Sequence, residues 1–271
     1  MLGIAVPEIL LPAEGVDLAR FAVIACDQYT SQPDYWKAVA ERVGEAPSAL
    51  HLVLPEVWLG GADEDRRIAE IQAHMREYLA RGVFAPPLRA FVAVERSTPH
   101  VTSRRGLMVA LDLDRYDWRP EARALVRATE ATVEDRLPPR LRVREGAELE
   151  LPHVLVLLDD PARSVVEPAF DEVARERPLY DVELMDGAGR VRGWAVRGAG
   201  EAERIERALA QLAAPDVQRA KYGPSEGDPF LFASGDGNHS LAAAKLFWQR
   251  RKVGLSSSER ERDPARFALV E

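Results

Sequence analysis

The chain has 271 residues, of which 46% are hydrophobic and 30% charged, a composition typical of a soluble globular protein with ample material for a core. Its formal net charge of −8 argues against a general nucleic-acid-binding surface, and no run of residues is long and apolar enough to span a membrane. One cysteine excludes an internal disulfide framework, and the first twelve residues lack the basic region of a secretory signal, so we expect a cytoplasmic protein.

The N-terminal part of the chain has two predicted strands, residues 21–25 and 51–54, because both are short apolar runs. The polar residues 26–30 follow the first strand, and residues 35–43 are predicted to form a helix. Polar groups just past a strand end are where α/β folds build ligand sites. The alternative is that Tyr29 packs and Asp27 caps a turn.

The clearest helix begins near Asp63 and ends near Arg81, because its apolar residues recur on one face and its acidic residues lie at the start. Residues 91–95 and 106–112 are predicted to form two strands joined by a wide loop. This loop carries Arg104 and Arg105, which could contact an anion or be solvated.

Residues 121–136 have a helical pattern that should stop before Pro138 and Pro139. Arginines then recur at positions 136, 140, 142 and 144. In an extended chain they would project from one side and form a basic strip for a phosphate. A row of surface ion pairs is the alternative.

The C-terminal half begins with residues 153–158, whose apolar run predicts a central strand. Residues 180–196 form a predicted hairpin, and residues 201–212 and 215–222 two helices. Residues 256–262 are polar enough to be mobile, and residues 267–271 look like a strand cut short.

The segment with the most chemical information is residues 235–240, with the sequence GDGNHS. A short apolar strand at 230–233 precedes it, and a helix over 240–252 follows, with Lys245 on its predicted wet stripe. A glycine turn at a helix start presents free N–H groups and the positive end of the helix dipole, which suit a phosphate or carboxylate. An ordinary turn with Asn238 or Ser240 as the N-cap is the alternative.

The fold class expected from these elements is α/β (α+β), with one mixed β-sheet and flanking helices. Residues 1–271 would form a single domain, with subregions 1–150 and 151–271 as an alternative. No nucleotide-binding phosphate loop, zinc-protease helix or serine-hydrolase elbow is present in the sequence. The five histidines are widely spaced, so no metal site is predicted from spacing.

Four segments together resemble the domain-of-unknown-function 1015 family: residues 24–33, 127–130, 152–153 and 235–240 (IACDQYTSQP, RATE, PH and GDGNHS). That family is distantly similar to the ParB-like and sulfiredoxin-like fold, which includes free serine kinases. The resemblance implies a core of that type, with phosphoryl chemistry at Asp236 and His239. Relatives often carry Asp-Gly-His-His-Arg at positions 236–240, so this chain lacks an arginine there. They also commonly continue past the last residue, so one wall of the pocket is expected to be missing.

The leading hypothesis is a phosphotransferase or phosphohydrolase acting on a small phosphorylated metabolite, with serine, phosphoserine or a nucleotide as first substrates. The expected catalytic residues are Asp27, Glu130, Asp236 and His239. The expected phosphate- or substrate-binding residues are Gln28, Tyr29, Arg105, Arg127, Arg136, Arg140, Gly237, Asn238 and Ser240. Mg²⁺ with a nucleotide is the cofactor left open, and so is a homodimer.

Two other hypotheses remain. One is a non-catalytic nucleotide- or phosphate-binding regulatory module of ParB type. The other is thiol chemistry at Cys26, by analogy with sulfiredoxin. Under the leading hypothesis, Asp27 or Gln28, Glu130 and His239 should line one pocket, and the N-terminus of the last long helix should point into it.

Overall fold

The computed structural model describes residues 2–197, 199–224 and 226–271, and it has the mixed α/β fold expected from the sequence. Among these residues the strands form three sheets and not the one mixed sheet that was expected. In chain order its strands and helices are β1 (Ile4–Ala5), β2 (Glu8–Ile9), α1 (Leu18–Phe21), α2 (Pro33–Val43), α3 (Glu64–Ala80), β3 (Leu88–Arg89), β4 (Phe91–Ser97), β5 (Arg104–Asp112), β6 (Tyr116–Asp117), β7 (Val126–Ala128), α4 (Leu137–Arg144), β8 (Leu155–Leu158), α5 (Val166–Val173), β9 (Tyr180–Glu183), β10 (Arg190–Val196), α6 (Ala199–Leu212), α7 (Pro215–Tyr222), β11 (Phe232–Asp236), α8 (Asn238–Arg251), α9 (Ser257–Arg262) and β12 (Phe267–Val270).

The larger sheet has six strands in the order β1-β5-β4-β10-β9, with β12 also paired to β5. Every pairing in it is antiparallel, and both predicted hairpins, β4–β5 and β9–β10, are confirmed. Helix α5 covers this sheet, and the ring of Phe170 meets Trp194 edge to face at 5.9 Å.

The smaller sheet has four strands in the order β6-β7-β11-β8. Strands β6, β7 and β11 are parallel, whereas β8 runs antiparallel to β11. The prediction that β8 is a central strand is wrong, because β8 ends this sheet and Leu157 on it is 57% exposed. The pairing with β8 shifts register between Ser234 and Asp236, directly before the glycine turn.

Two predicted strands in the N-terminal part are absent. Helix α1 ends at Phe21, and residues 22–25 are irregular; residues 49–52 form a 3₁₀-helix that Ser48 caps through its hydroxyl. Short apolar runs are compatible with a strand or a tight helical turn, and only tertiary contacts distinguish the two.

The helix predicted over residues 121–136 is also wrong. This segment contains β7, an irregular stretch and a 3₁₀-helix at Glu134–Arg136. Pro138 and Pro139 do not end a helix but lie in the first turn of α4, where a missing N–H group has no consequence. The later arginines of the predicted basic strip are therefore on a helix and not on an extended chain.

Helix α8 is enclosed by the rest of the molecule. Leu241, Ala244 and Trp248 belong to the largest group of buried side chains, which draws on residues from Ile4 to Val270. Lys245 is only 7% exposed, so its predicted solvent position is wrong; its Nζ donates to the Leu113 carbonyl at 2.6 Å. In the part of the chain that the structure describes, no helix has the length and apolarity to cross a membrane.

Candidate functional site

At the glycine turn between β11 and α8, the backbone passes close to Val154, the residue before β8. Gly237 has φ 73°, and a Cβ atom there would lie 3.0 Å from Cγ2 of Val154. Gly237 is also the residue that precedes the helix, so no side chain caps the N-terminus of α8. The Leu241 N–H donates to the Gly237 carbonyl at 3.0 Å, and the N–H groups before it have no acceptor in the helix.

Three side chains near this turn, two of them buried and that of Thr132 half-buried, have buried polar atoms without a hydrogen-bond partner among the described residues. Asn238 is 2% exposed, and neither its Oδ1 nor its Nδ2 is bonded. The Oγ of fully buried Ser234 and the Oγ1 of Thr132 also have no hydrogen-bond partner. Burial of an unpaired polar group costs about 1–3 kcal/mol, so folded proteins keep few of them without a functional reason.

His239 is held as a neutral imidazole. The Val133 N–H donates to its Nε2 at 3.2 Å, which leaves the ring proton on Nδ1. Burial lowers the pKa of His239, and the charges of Arg140 and Arg136 lower it further, with Glu56 and Glu130 acting in the opposite direction. His239 therefore presents a hydrogen-bond donor beside two guanidinium groups at neutral pH.

A second histidine, His153, joins the first turn of α8 to the loop before α2. Its Nε2 lies 2.8 Å from Oγ of Ser240. Burial raises the pKa of Asp27; the charge of His153 opposes this increase, and the charge of Asp236 adds to it. Asp27, His153 and Asp236 are thus within electrostatic range of one another. We call Asp27, His153, Asp236, Asn238, His239 and Ser240 the α8 site.

The ion pair between Glu56 and Arg140, which are not members of the α8 site, connects one of its loops to α4. The Glu56 N–H donates to the Cys26 carbonyl at 2.8 Å, and its carboxylate binds the Arg140 guanidinium, so the loop that carries Asp27 is tied to α4. Burial raises the pKa of the Cys26 thiol to about 12, with further increases from Asp27 and Glu56. A protonated thiol is a poor nucleophile, which argues against thiol chemistry at this position.

Besides Arg140, which is paired with Glu56, two more of the predicted anion-binding arginines have other partners. Arg105 binds Glu95 at 3.4 Å and lies over the Phe170 ring, on the larger sheet. Arg127 donates to the carbonyls of Ala124 and Asp228, stacks on Phe230, and lines an open cavity with Arg123. Neither shares a contact with a residue of the α8 site, so the expectation that they bind the same phosphate is not supported by their contacts.

Two of the other predicted residues, Gln28 and Glu130, interact with residues of the α8 site. Gln28 donates to the Asp27 carboxylate at 3.3 Å, and the exposed Tyr29 stacks on Tyr35 with ring centres 3.9 Å apart. Glu130 is exposed and is one of the charges that act on His239. Within the described residues, no group of three or more His, Cys, Asp or Glu side chains is placed to hold a metal ion.

The sequence did not point to His153 of the α8 site, or to Glu56, Ser234 and Thr132, which lie near it. The pair Pro152-His153 was part of the family resemblance, so His153 could have been included on that signal. Glu56 had no such signal, because its contact with Arg140 joins positions 84 residues apart.

Comparison with known proteins agrees with the family resemblance. The sequence model of the family described as "Protein of unknown function (DUF1015)" matches residues 10–271. Searches of curated proteins and of solved structures each found no match. The similarity to the ParB-like and sulfiredoxin-like fold stays a prediction.

Proposed function

The chain belongs to the DUF1015 family of proteins of unknown function, and on that premise we propose that it transfers or hydrolyses the phosphoryl group of a small metabolite. In this proposal the phosphate binds at the first turn of α8, against the N–H groups of residues 238–240. Serine, phosphoserine and nucleotides are the first substrates to test, on the resemblance to free serine kinases alone.

The observation that carries the proposal is the buried and unpaired carboxamide of Asn238. It lies in the first turn of a helix that no side chain caps. A phosphate oxygen would accept from Nδ2 and from the free backbone N–H groups, and a ligand hydroxyl could donate to Oδ1. An ordinary N-cap has the opposite property, since its own side chain satisfies these groups.

Charge around the turn also suits an anion. The neutral His239 ring can donate from Nδ1, and the guanidinium groups of Arg136 and Arg140 are near enough to affect its pKa. Phosphoryl transfer depends mainly on positioning and on stabilisation of the charge on the transferring group, which these donors would provide.

Acid–base chemistry would come from the carboxylates. Asp27 lies near Asp236, and burial raises the pKa of Asp27, which brings it nearer to that of a general base. Two neighbouring carboxylates could also hold Mg²⁺ when substrate phosphates supply the remaining ligands, so Mg²⁺ would arrive with a nucleotide. Glu130, exposed beside His239, is available to contact the rest of the substrate.

The test is a thermal-shift panel of serine, nucleotides, phosphoserine and other phosphorylated metabolites, with and without Mg²⁺, followed by turnover assays on each compound that shifts the melting temperature. We expect Arg136→Gln to weaken phosphate binding about tenfold, or ~1.4 kcal/mol. Arg105→Gln is the matched control, because its contacts lie on the larger sheet, and it should bind as the wild type does.

Three outcomes of these assays distinguish an enzyme from a non-catalytic regulatory module. Binding with turnover supports the proposal. Tight binding without turnover would instead assign a regulatory module that senses a nucleotide or phosphate. The absence of a shift with any compound, with and without Mg²⁺, would contradict both.

A further inference from the structure

We propose that Ser240 accepts the phosphoryl group covalently and that His153 is the base that activates it. This inference rests on the proposed function; within it His153, in place of Asp27, is the general base that activates Ser240, and Asp27 assists the histidine. Its first support is geometric: Nε2 of His153 lies 2.8 Å from Oγ of Ser240, the separation required between a hydroxyl nucleophile and its base.

A third group is placed to assist the histidine. Asp27 lies within electrostatic range of the His153 ring, and the charge of the imidazole acts on the pKa of Asp27. A nearby carboxylate stabilises the imidazolium that forms when a histidine takes a proton, as in other nucleophile–histidine–carboxylate arrangements. The three residues come from the loop before α2, the irregular segment before β8 and the first turn of α8.

The surroundings of Ser240 suit a phosphorylated hydroxyl. Ser240 is the third residue of α8, so its oxygen lies beside the uncapped N–H groups and the positive end of the helix dipole. A phosphoserine at a helix N-terminus gains hydrogen bonds from such groups. The unpaired carboxamide of Asn238, two residues earlier, is an independent sign that this turn accommodates a ligand.

The proposed reaction requires neither a metal ion nor a redox partner. Oγ of Ser240 attacks the phosphorus of the donor; the Oγ–P bond forms as the bond between phosphorus and the leaving oxygen breaks. The hydroxyl proton passes to Nε2 of His153, which then gives it to the leaving oxygen. In the second step an acceptor hydroxyl or water attacks the phosphorus; the bond between its oxygen and phosphorus forms as the Oγ–P bond breaks. Its proton passes to His153, and from there to the released Oγ of Ser240.

If the same hydrogen bond is purely structural, the expected result is different. In that case His153 and Ser240 only connect the segment before β8 to α8, and no covalent product forms. The two roles are separated by trapping the phosphorylated protein.

The experiment incubates the full chain with ATP and Mg²⁺, p-nitrophenyl phosphate or acetyl phosphate, and measures the intact mass before and after acid treatment. We expect one acid-stable phosphoryl group, located on Ser240 by peptide mapping. Ser240→Ala should abolish it and still bind inorganic phosphate in the thermal-shift assay. His153→Gln should slow its formation about a hundredfold, the size of a lost general base. Ser258→Ala, a serine remote from the turn, should be labelled as the wild type is.

Several results would overturn this inference. Turnover of a donor with Ser240→Ala at a rate within about twofold of the wild type would contradict it and leave the proposed function intact. An acid-labile phosphoryl group mapped to His239 would do the same. Phosphate binding without any labelling by the three donors would overturn the covalent role, and the absence of both binding and labelling would also contradict the proposed function.

Discussion

Asn238 is the residue at which the stability of the folded chain and the proposed function conflict. Its side chain is 2% exposed with both polar atoms unpaired, in the first turn of a helix that packs into the largest group of buried side chains. Replacement of an unsatisfied buried polar group by an apolar group of similar shape is often neutral or stabilising. A carboxamide retained under these conditions is therefore best explained by a ligand that bonds to it.

Asn238→Leu tests this explanation, because leucine has a similar shape and no polar atoms. We expect the free energy of unfolding in the absence of ligand to rise by about 1 kcal/mol, as measured by urea denaturation. The increase in melting temperature caused by phosphate should be lost in the same variant. Ser234→Ala, which removes an unpaired buried hydroxyl outside the α8 site, serves as a comparison for the stability effect. A loss of more than about 1 kcal/mol in Asn238→Leu would show that the carboxamide has partners in the folded chain.

The N-termini of helices α8 and α9 differ in their side-chain capping. Ser256 and Glu259 form a complete capping box at α9: the Glu259 N–H donates to Oγ of Ser256 at 3.4 Å, and the Ser256 N–H donates to Oε2 of Glu259 at 2.8 Å. The segment predicted to be mobile is therefore a capped helix. No side chain caps α8, and the same holds for α2, α3, α4, α5 and α7. The feature that distinguishes the start of α8 is therefore the buried, unpaired carboxamide of Asn238 and not the missing cap.

Ser256→Ala should lower the free energy of unfolding by about 1 kcal/mol, because the N-cap acceptor is lost. Urea denaturation measures the change. Ser257→Ala in the next position keeps the capping box and should unfold close to the wild type. Equal effects of the two substitutions would mean that the capping box does not stabilise the start of α9.

At the scale of the whole molecule, the site depends on contacts between segments far apart in the chain. The 3₁₀-helix at Glu56–Trp58 and helix α4 meet in the Glu56–Arg140 ion pair, and both charges act on His239 of α8. Both charges of the pair are partly buried, and removal of one partner leaves the other uncompensated.

Substitutions in this ion pair should shift the pKa of His239 in opposite directions. Arg140→Gln removes a positive charge and should raise the pKa, and Glu56→Gln removes a negative charge and should lower it further. An NMR titration of the histidine ring protons would measure both shifts. Shifts in the same direction, or no shift in either variant, would contradict the proposed electrostatic coupling of Glu56–Arg140 to the α8 site.

The lowered pKa of His239 makes the free energy of unfolding depend on pH. The pKa of folded His239 lies below the 6.5 of an ordinary histidine. The neutral ring therefore contributes stability that is fully present above pH 6.5 and is lost as pH falls through the lowered pKa. Arg140→Gln should reduce this acid-dependent part of the unfolding free energy.

The sequence by itself determined the elements whose signals are local. Helices α2 and α3 follow from their periodicity and terminal residues, the two hairpins from alternating strands with turns between them, and the start of α8 from the GDGNHS turn. Each of these depends on residues within a few positions of one another, where propensity and capping are sufficient.

The tertiary structure alone decided the residues that complete the site. The contacts His153–Ser240, Glu56–Arg140 and Lys245–Leu113 join positions 87, 84 and 132 residues apart, and the hydrophobic pattern does not encode them. The same limit explains the wrong assignments at residues 21–25, 51–54 and 121–136, where a short segment is compatible with two conformations. In such segments packing against distant elements provides the free-energy difference that selects the conformation, and local sequence does not contain it.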